Sequence, residues 1–344
     1  MSVTVVVIGY NDAAHLADAV GSACAQGDSV SEVIAVDDGS TDGSAALLDR
    51  LATRDPRLRV VRRAVNSGGC GTPRNEGLAH ATAPYVLFLD SDDVLPPGAV
   101  DALLRAARAH GADVAGGLCV RRELPGGREI PWQRELYAKE RTLAEPSALP
   151  RIAADTLCVN KLYRTGFLRD HAIRFPPGRY LYEDFVFTAR VLAAGPRMAL
   201  VPDRVYTWHV RREERRRSLS LDRDGMENWR ARVRAHRQAV AELSALPRLV
   251  RAARAGFLDR GLRMYVRELP RREPAYQHAW WELTRAYLTA FTPADIAAAT
   301  VAGARGGAGP AMERASGRAS AALQRAPQGQ AGEEPTRPVP ATPP

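Results

Sequence analysis

Acidic residues recur in this sequence directly after apolar runs. Asp37-Asp38 follow Glu32-Val33-Ile34-Ala35-Val36, and Asp90-Ser91-Asp92-Asp93 follow Tyr85-Val86-Leu87-Phe88-Leu89. Carboxylates two residues apart at a strand end project into the same cleft. Asp90-Ser91-Asp92 therefore offers hard oxygen donors suited to Mg2+ or Mn2+. A divalent ion bridging a diphosphate would neutralise charge on a departing nucleotide. The spacing alone is a weak metal signal, and an aspartate after a strand is commonplace because it makes turns and caps helices.

The elements that must position these residues follow from hydrophobic periodicity. Short apolar, β-branched runs at 3–8, 32–36, 58–62 and 85–89 predict buried strands. Helical spacing predicts a helix over 12–26 with Asn11 or Asp12 as its cap, and a second from Thr41-Asp42 to about Leu51. Thr72-Pro73 open a third helix. This alternation is that of a Rossmann-like α/β fold with a mostly parallel sheet and right-handed crossovers. A helix at 98–110 and a strand at 113–120 extend it, the pattern weakens over 121–150, and 183–194 is helical up to Gly195-Pro196. Residues 224–290 read as mainly helical with breaks at Pro247, Pro270 and Pro274. The chain thus divides at about 221 into an α/β domain, with a nucleotide-binding half (1–120) and an acceptor half (121–221), and a helical region (222–304). The Gly-, Ala-, Pro- and Arg-rich tail, 305–344, reads as disordered.

Ligands of open parallel sheets bind at the carboxyl ends of the strands. Four such ends carry polar residues here: Gly9-Tyr10-Asn11-Asp12, Asp37-Asp38-Gly39-Ser40, Asn66-Ser67-Gly68-Gly69 and Asp90-Ser91-Asp92-Asp93. Agreement of all four predicts one shared crevice. Neither a GxGxxG fingerprint nor a Walker lysine motif occupies these loops, which disfavours a dinucleotide dehydrogenase and a P-loop NTPase.

Bulk properties narrow the class further. The 344 residues suffice for one large α/β domain and a smaller one. No apolar run approaches the ~20 residues of a membrane span, and the N-terminal run lacks the basic segment and cleavage site of a signal peptide. A cytoplasmic location is the resulting expectation. Cys24, Cys70, Cys119 and Cys158 form no CxxC pair, so small buried or loop thiols are expected rather than structural zinc or a disulfide framework. The net charge of +9 suits a polyanionic partner, though high Ala and Arg with little Lys is also what a GC-rich genome produces.

Taken in order, YND, VDDGSTDGS, NSGGCGTPRNEGL and FLDSDDVL resemble the family 2 glycosyltransferases of the GT-A fold. NKLYR (160–164), IRFP (173–176) and YEDFVF (182–187) resemble the acceptor-side motifs of that family, so the resemblance covers about residues 3–220. It implies an inverting transfer from a nucleoside-diphosphate sugar, usually a UDP-sugar, assisted by Mn2+ or Mg2+. By the same resemblance, Gly9, Tyr10, Asp12 and Asp38 line the nucleoside pocket, with Asp38 accepting from the base and Asp37 as its structural partner. Asn66 and Arg74 stand by the nucleotide or sugar; Arg74 alternatively makes a surface ion pair with Glu76 or a neighbour. Asp90 and Ser91 contact the ribose or donor sugar, and Asp92 is the principal metal ligand. Asp93 supports the metal through water or caps the next turn. Glu183-Asp184 matches the catalytic acidic pair, Asp184 as base and Glu183 as an orienting group; the alternative is a pair of helix N-terminal carboxylates. The segment 206–220 matches a basic loop that closes over the diphosphate, with Arg211, His209 and then Ser218 as candidates and His209 also a candidate metal ligand. Trp208 stacks on a sugar or belongs to the core. Absence of QxxRW argues against a processive membrane synthase. Pro73 departs from the small residue more usual before Arg-Asn, at a position where a helix start tolerates proline.

The pattern SGGCxxPRN, GLCVRR, DTLxxNKLYR and VYxW looks like a bacterial, actinobacterial subgroup related to teichoic-acid-like and other cell-surface polymer assembly. The implied acceptor is a glycan or a polyol-phosphate chain. Arg230, Arg234, Arg237, Arg248, Arg251, Arg254, Arg263 and Arg267 offer contact with a polyanion or peripherally with the inner membrane leaflet, or form a solvated helix face. No nucleic-acid motif is present and aromatics are 6%, so nucleic acid is not an expected partner. A nucleotidyltransferase would carry a Gly-rich lysine signature that is absent here. Asp92 and Asp184 oppose an inactive sugar-nucleotide-binding scaffold.

Overall fold

The computed structural model describes residues 2–211 and 223–305. Ser218, most of the basic run 212–220 and the tail expected to be disordered lie outside the described residues. Nine strands form one sheet: β1 Val3–Gly9, β2 Val30–Asp37, β3 Leu58–Arg62, β4 Tyr85–Asp90, β5 Val114–Leu124, β6 Arg128–Pro131, β7 Arg141–Leu143, β8 Lys161–Arg164 and β9 Met198–Arg211. Their order is β3-β2-β1-β4-β8-β5-β9-β7, with β6 on β5. Pairing directions make β1 to β4, β5 and β9 run one way and β6, β7 and β8 the other. The sheet is mostly parallel, as its sequence implies. The antiparallel β8, wedged between β4 and β5, is too short for its periodicity to announce it.

Helices α1 Leu16–Cys24, α2 Ser44–Ala52, α3 Gly71–His80, α4 Ala99–His110, α5 Thr165–Asp170 and α6 Glu183–Ala193 accompany the sheet. Val3, Val5, Val6 and Val7 of β1 are all buried, as a strand covered on both faces requires. Each such side chain contributes roughly 1.5–3 kcal/mol. The first helix begins later than its spacing predicts, at Leu16 with His15 before it, and without a side-chain cap. The Asp12 carboxylate meets the His15 ring and Ser91 Oγ, so it caps no backbone N–H of the helix. Pro73 falls in the first turn of α3, where a missing N–H costs nothing.

The helical region comprises α7 Met226–Glu242, α8 Pro247–Gly256, α9 Arg263–Glu268, α10 Pro274–Leu288 and α11 Pro293–Arg305, with a π-helical turn at Phe257–Leu262. Pro247 and Pro274 start helices rather than interrupt them. A second core forms here around Trp229, Phe257, Tyr265, Trp280 and Tyr287. Inside it His236 is held neutral, its pKa lowered to about 3 by burial. The α7 helix packs along α6 and so reaches the acidic pair at that helix's start.

Candidate functional site

Register sets the floor of the cleft. Gly9 lies opposite Asp37, Ile8 opposite Asp90, and Asp37 opposite Arg62, so the carboxyl ends of β1 to β4 finish at one level. The loops that leave this edge bind one another. Asn11, held at φ 49°, accepts from the Thr41 N–H at 2.6 Å, and its own N–H donates to Ser40 Oγ at 2.8 Å. Ser91 Oγ donates to Asp12 Oδ2 at 2.6 Å, while Asp12 Oδ1 meets His15 Nδ1 at 2.6 Å. A β-carbon on Gly9 would stand 3.2 Å from that of Ser91, which explains a glycine there. Tyr10 is half-buried beside them.

Asp38 is buried and well supplied with partners. Its carboxylate accepts from the Ser67 N–H at 3.1 Å, Ser67 Oγ at 2.8 Å and Asn66 Nδ2 at 3.0 Å, and it pairs with Arg63 at 2.8 Å. Asp38 and Asn66 thus hold the loop after β3 to the loop after β2. Glu76 pairs with Arg63, not with Arg74.

Arg74 occupies the centre. Its side chain is 2% exposed. Nη2 donates to Asp90 Oδ1 at 2.6 Å; Nη1 donates to Glu183 Oε1 at 2.6 Å and Asp184 Oδ1 at 2.9 Å. The alternative of a surface pair with Glu76 therefore does not hold: one buried guanidinium joins the strand-end carboxylate Asp90 to the acidic pair 183–184. Close backbone approach makes this geometry. A β-carbon on Gly71 would stand 2.2 Å from the Pro176 carbonyl oxygen, and one on Gly69 2.6 Å from that of Gly178. Asn75 clasps the Phe175 N–H and carbonyl at 2.8 and 2.9 Å, and Phe175 stacks on Phe187 at 3.8 Å. The IRFP segment is thus a brace between α3 and α6. Tyr182 then turns the chain into α6 at φ 63°. Its hydroxyl donates to Asn228 Oδ1 at 2.7 Å, and Arg232 lies 4.8 Å from its ring, so α7 supports the turn from behind.

Three carboxylates facing one guanidinium leave negative charge uncompensated. Glu183 is raised to about 7, first by burial and then by the charge of Asp184, with Arg74 opposing. Asp184 is raised by burial, with Arg74 opposing and Asp90 adding to the rise. Both members of the pair are thus pushed towards protonation. Asp184 is the more exposed of the two, with 19% of its side chain accessible against 11% for Glu183.

A second acidic group lies where β9 crosses the loop after β4. Asp93 is buried, accepting from Tyr206 OH and the His209 N–H, each at 2.7 Å. It ties β4 to β9, a structural role. The Asp92 carbonyl accepts from Arg211 Nη1 at 2.8 Å and lies 3.2 Å from His209 Nδ1. A proton on Nδ1 leaves the lone pair on Nε2. Burial lowers the His209 pKa, which keeps the ring neutral. Asp92 is raised to about 6, by desolvation first and then by Asp90 and Asp12, with Arg211 opposing. His209 is joined to the Asp92 backbone carbonyl rather than to its carboxylate, so the two side chains offer one carboxylate and one imidazole nitrogen on neighbouring segments. Among the described residues no three His, Cys, Asp or Glu side chains converge on one metal position. The remaining ligands would have to be ligand oxygens and water.

Other motif residues are structural. Lys161 is buried, its Nζ 2.7 Å from Asp155 Oδ2, 2.6 Å from the Leu157 carbonyl and 3.0 Å from Asn160 Oδ1. Trp208 packs edge-on against Trp132 at 6.2 Å and beneath Arg121. Arg234, Arg237 and Arg254 cover the rings of Tyr180, Tyr287 and Phe291, whereas Arg230, Arg248, Arg251 and Arg267 are exposed. Sequence reasoning missed Cys158, whose Sγ lies 3.2 Å from Asp184 Oδ1, and Asn228, since no motif marks either. It also missed Asp155 as the partner of Lys161, although both lie within DTLxxNKLYR.

A family model described as "Glycosyl transferase family 2" matches residues 4–171. The chain is 31% identical over 215 residues to the poly(ribitol-phosphate) beta-N-acetylglucosaminyltransferase TarS of Staphylococcus aureus, covering 62% of this chain and 36% of that one. It is 32% identical over 225 residues to the succinoglycan biosynthesis protein ExoO of Rhizobium meliloti, covering 64% of each. The chain thus spans between about one third and two thirds of the length of these relatives. The crystal structure of S. aureus TarS 1-349 in complex with UDP-GlcNAc shares the fold, with a TM-score of 0.70 at 23% identity over 87% of this chain and 84% of that one.

Proposed function

We propose that the chain is an inverting glycosyltransferase of family 2, a reading supported by the family model that matches residues 4–171. It moves a sugar from a nucleoside-diphosphate sugar, a UDP-sugar, to a hydroxyl of a cell-surface glycan or polyol-phosphate polymer. The observation that carries this reading is the convergence of Asp90, at the donor edge, and Asp184 on the single buried Arg74. It puts a strand-end carboxylate that can hold a donor sugar and a charged base within one side chain's reach.

Gly9, Tyr10, Asp12 and Asn66 line the nucleoside end, with Asp38 fixing the loop behind them. Asp90 and Ser91 hold the ribose and sugar. The acceptor hydroxyl oxygen attacks the anomeric carbon as Asp184 takes its proton; the bond to the diphosphate breaks on the opposite face, its electron pair leaving with the nucleotide. Arg74 holds Asp184 and Glu183 in place for this step, and protonated Glu183 orients the acceptor. Arg211 lies on the side of the cleft where the diphosphate departs. Asp92 and His209 would hold Mn2+ or Mg2+, which when bound offsets charge on the leaving group.

Descriptions of one relative inform the substrates: TarS is named a poly(ribitol-phosphate) beta-N-acetylglucosaminyltransferase, and one of its crystal structures contains UDP-GlcNAc. A net charge of +9 and the exposed arginines of the helical region suit a phosphate-rich acceptor, and would also suit peripheral contact with an anionic leaflet. A cytoplasmic site of action agrees with four free cysteines. Among the described residues no helix is long and apolar enough to cross a membrane.

Thermal stabilisation by a panel of nucleoside-diphosphate sugars, with and without Mn2+, tests the reading. A metal-dependent rise in Tm with one UDP-sugar, followed by release of UDP on adding poly(ribitol phosphate), supports it. A well-folded sample that responds to none of the nucleotides overturns it.

A further inference from the structure

Asp184 and its surroundings show how the base is held. Its Oδ1 lies 2.9 Å from Arg74 Nη1 and 3.2 Å from Cys158 Sγ, whereas among the described residues Oδ2 accepts from the Cys158 N–H alone, at 3.5 Å. One oxygen is pinned from two sides and the other is nearly unengaged. The pinning sulfur is itself fixed. The Cys158 carbonyl accepts from Tyr163 OH at 2.9 Å, the neighbouring Leu157 carbonyl accepts from Lys161 Nζ, and Asn160 Nδ2 donates to the Gly117 carbonyl at 2.9 Å. The turn before β8 is thus anchored at three points, Leu157, Cys158 and Asn160, next to the buried network around Asp155.

On the reading of Asp184 as base, we propose that Cys158 is a positioning residue. Its thiol donates to Oδ1 and fixes the carboxylate plane so that Oδ2 is presented to the acceptor hydroxyl. As the acceptor oxygen bonds to the anomeric carbon, its proton passes to Oδ2, and the carbon–diphosphate bond breaks with its electron pair on the diphosphate.

A thiol suits this position. Burial pushes the Cys158 pKa well up, Arg74 opposing and Asp184 adding to the rise, so sulfur keeps its proton and donates it. It contributes a hydrogen bond without a second positive charge, which would stabilise the carboxylate and blunt the base. The charged and titratable groups around Asp184 are Arg74 and Cys70 from α3 and its cap, Asp90 from β4, Cys158 and Tyr163 from β8 and its approach, and Glu183 from its own helix. Among these, Cys158 and Arg74 are the side chains that donate to Asp184.

A hydrogen bond to the charged form lowers a carboxyl pKa, so removing it raises that pKa. Full-length protein labelled with 13C at aspartate carboxyls, with D184N assigning the resonance, reads this by NMR. Cys158→Ala and the volume-matched Cys158→Val should raise the Asp184 titration by roughly half a pH unit or more. Cys158→Ser, which keeps a donor, should return it towards the original. In steady-state UDP release from UDP-GlcNAc, the acidic limb of kcat should move to higher pH in the Ala and Val variants, with KM for the donor unchanged. Folded Ala or Val protein whose Asp184 titration does not move overturns the proposal. Failure of the unmodified protein to bind or turn over any UDP-sugar would instead remove Asp184 as base, while the NMR titration would still report whether the thiol governs the carboxylate.

Discussion

Two buried acidic centres lie close together in this molecule and have opposite electrostatics. At Asp155, Lys161 Nζ, Tyr137 OH and Trp132 Nε1 donate at 2.7, 2.5 and 2.7 Å, and the carboxyl is lowered despite complete burial. One carboxylate meets one ammonium and no charge is left over. At Arg74 a single guanidinium faces Asp90, Glu183 and Asp184, and both members of the acidic pair are raised. The first centre is compensated and holds strands together. The second retains an affinity for protons or cations, which a catalytic site requires. Burial alone separates nothing here; the ratio of acids to cations does.

Exchanging the two centres' roles should fail in opposite ways. D184N should lower transfer about a thousandfold, within the range for loss of a general base, while donor-induced stabilisation persists. Near-normal turnover in D184N would remove Asp184 as base. K161M, which strands a buried charge on Asp155, should cost about 3 kcal/mol of stability, read as a fall in denaturation midpoint, with donor affinity per folded molecule retained. A midpoint close to that of the parent would show that the Asp155 centre is not closed.

Glu183 sharpens the contrast through pH. Its folded pKa, about 7, lies above the ordinary value of 4.5. Between these values the folded state binds more protons than the unfolded state, so this group makes stability fall as pH rises from about 4.5 to 7 and level off above. E183Q should flatten that segment of the stability profile; an unchanged slope would assign it to another group. The smallest effect is expected at the edge of the cleft. H209A should reduce the Mn2+ dependence of UDP-sugar stabilisation by about tenfold in metal concentration and leave the metal-free midpoint unchanged. Equal Mn2+ dependence would remove His209 as a ligand.

Much of the sheet was legible in sequence. The β3 strand lies where its apolar run places it, at Leu58–Arg62, and the polar ends of four strands share one edge because identical chain direction leaves no other arrangement. What escaped was non-local. Arg74 meets carboxylates 16 and 110 residues away, and nothing in TPRNEG distinguishes an arginine destined for them from one beside Glu76. Asn11 or Asp12 was expected to cap the first helix; the Asp12 carboxylate bonds His15 at that helix's start and also Ser91 across the sheet. Asp38 and Asp93 are carboxylates of the cleft motifs that also tie loops together through their buried partners. Cys158 falls on an unspecified position of DTLxxNKLYR, and only the fold reveals what its sulfur touches.

The turn at Tyr182 has a consequence for how such a chain can diversify. The amide oxygen of Asn228 accepts from the hydroxyls of Tyr182 and Tyr265, so the backbone that delivers Glu183 and Asp184 is seated on the helical region as well as on the sheet. Replacing residues 226–288 with those of a relative would change that seat without altering any residue at the ends of β1 to β4. On the proposed function, a chimera joined after β9 would then alter the acceptor side of the cleft while keeping the donor side.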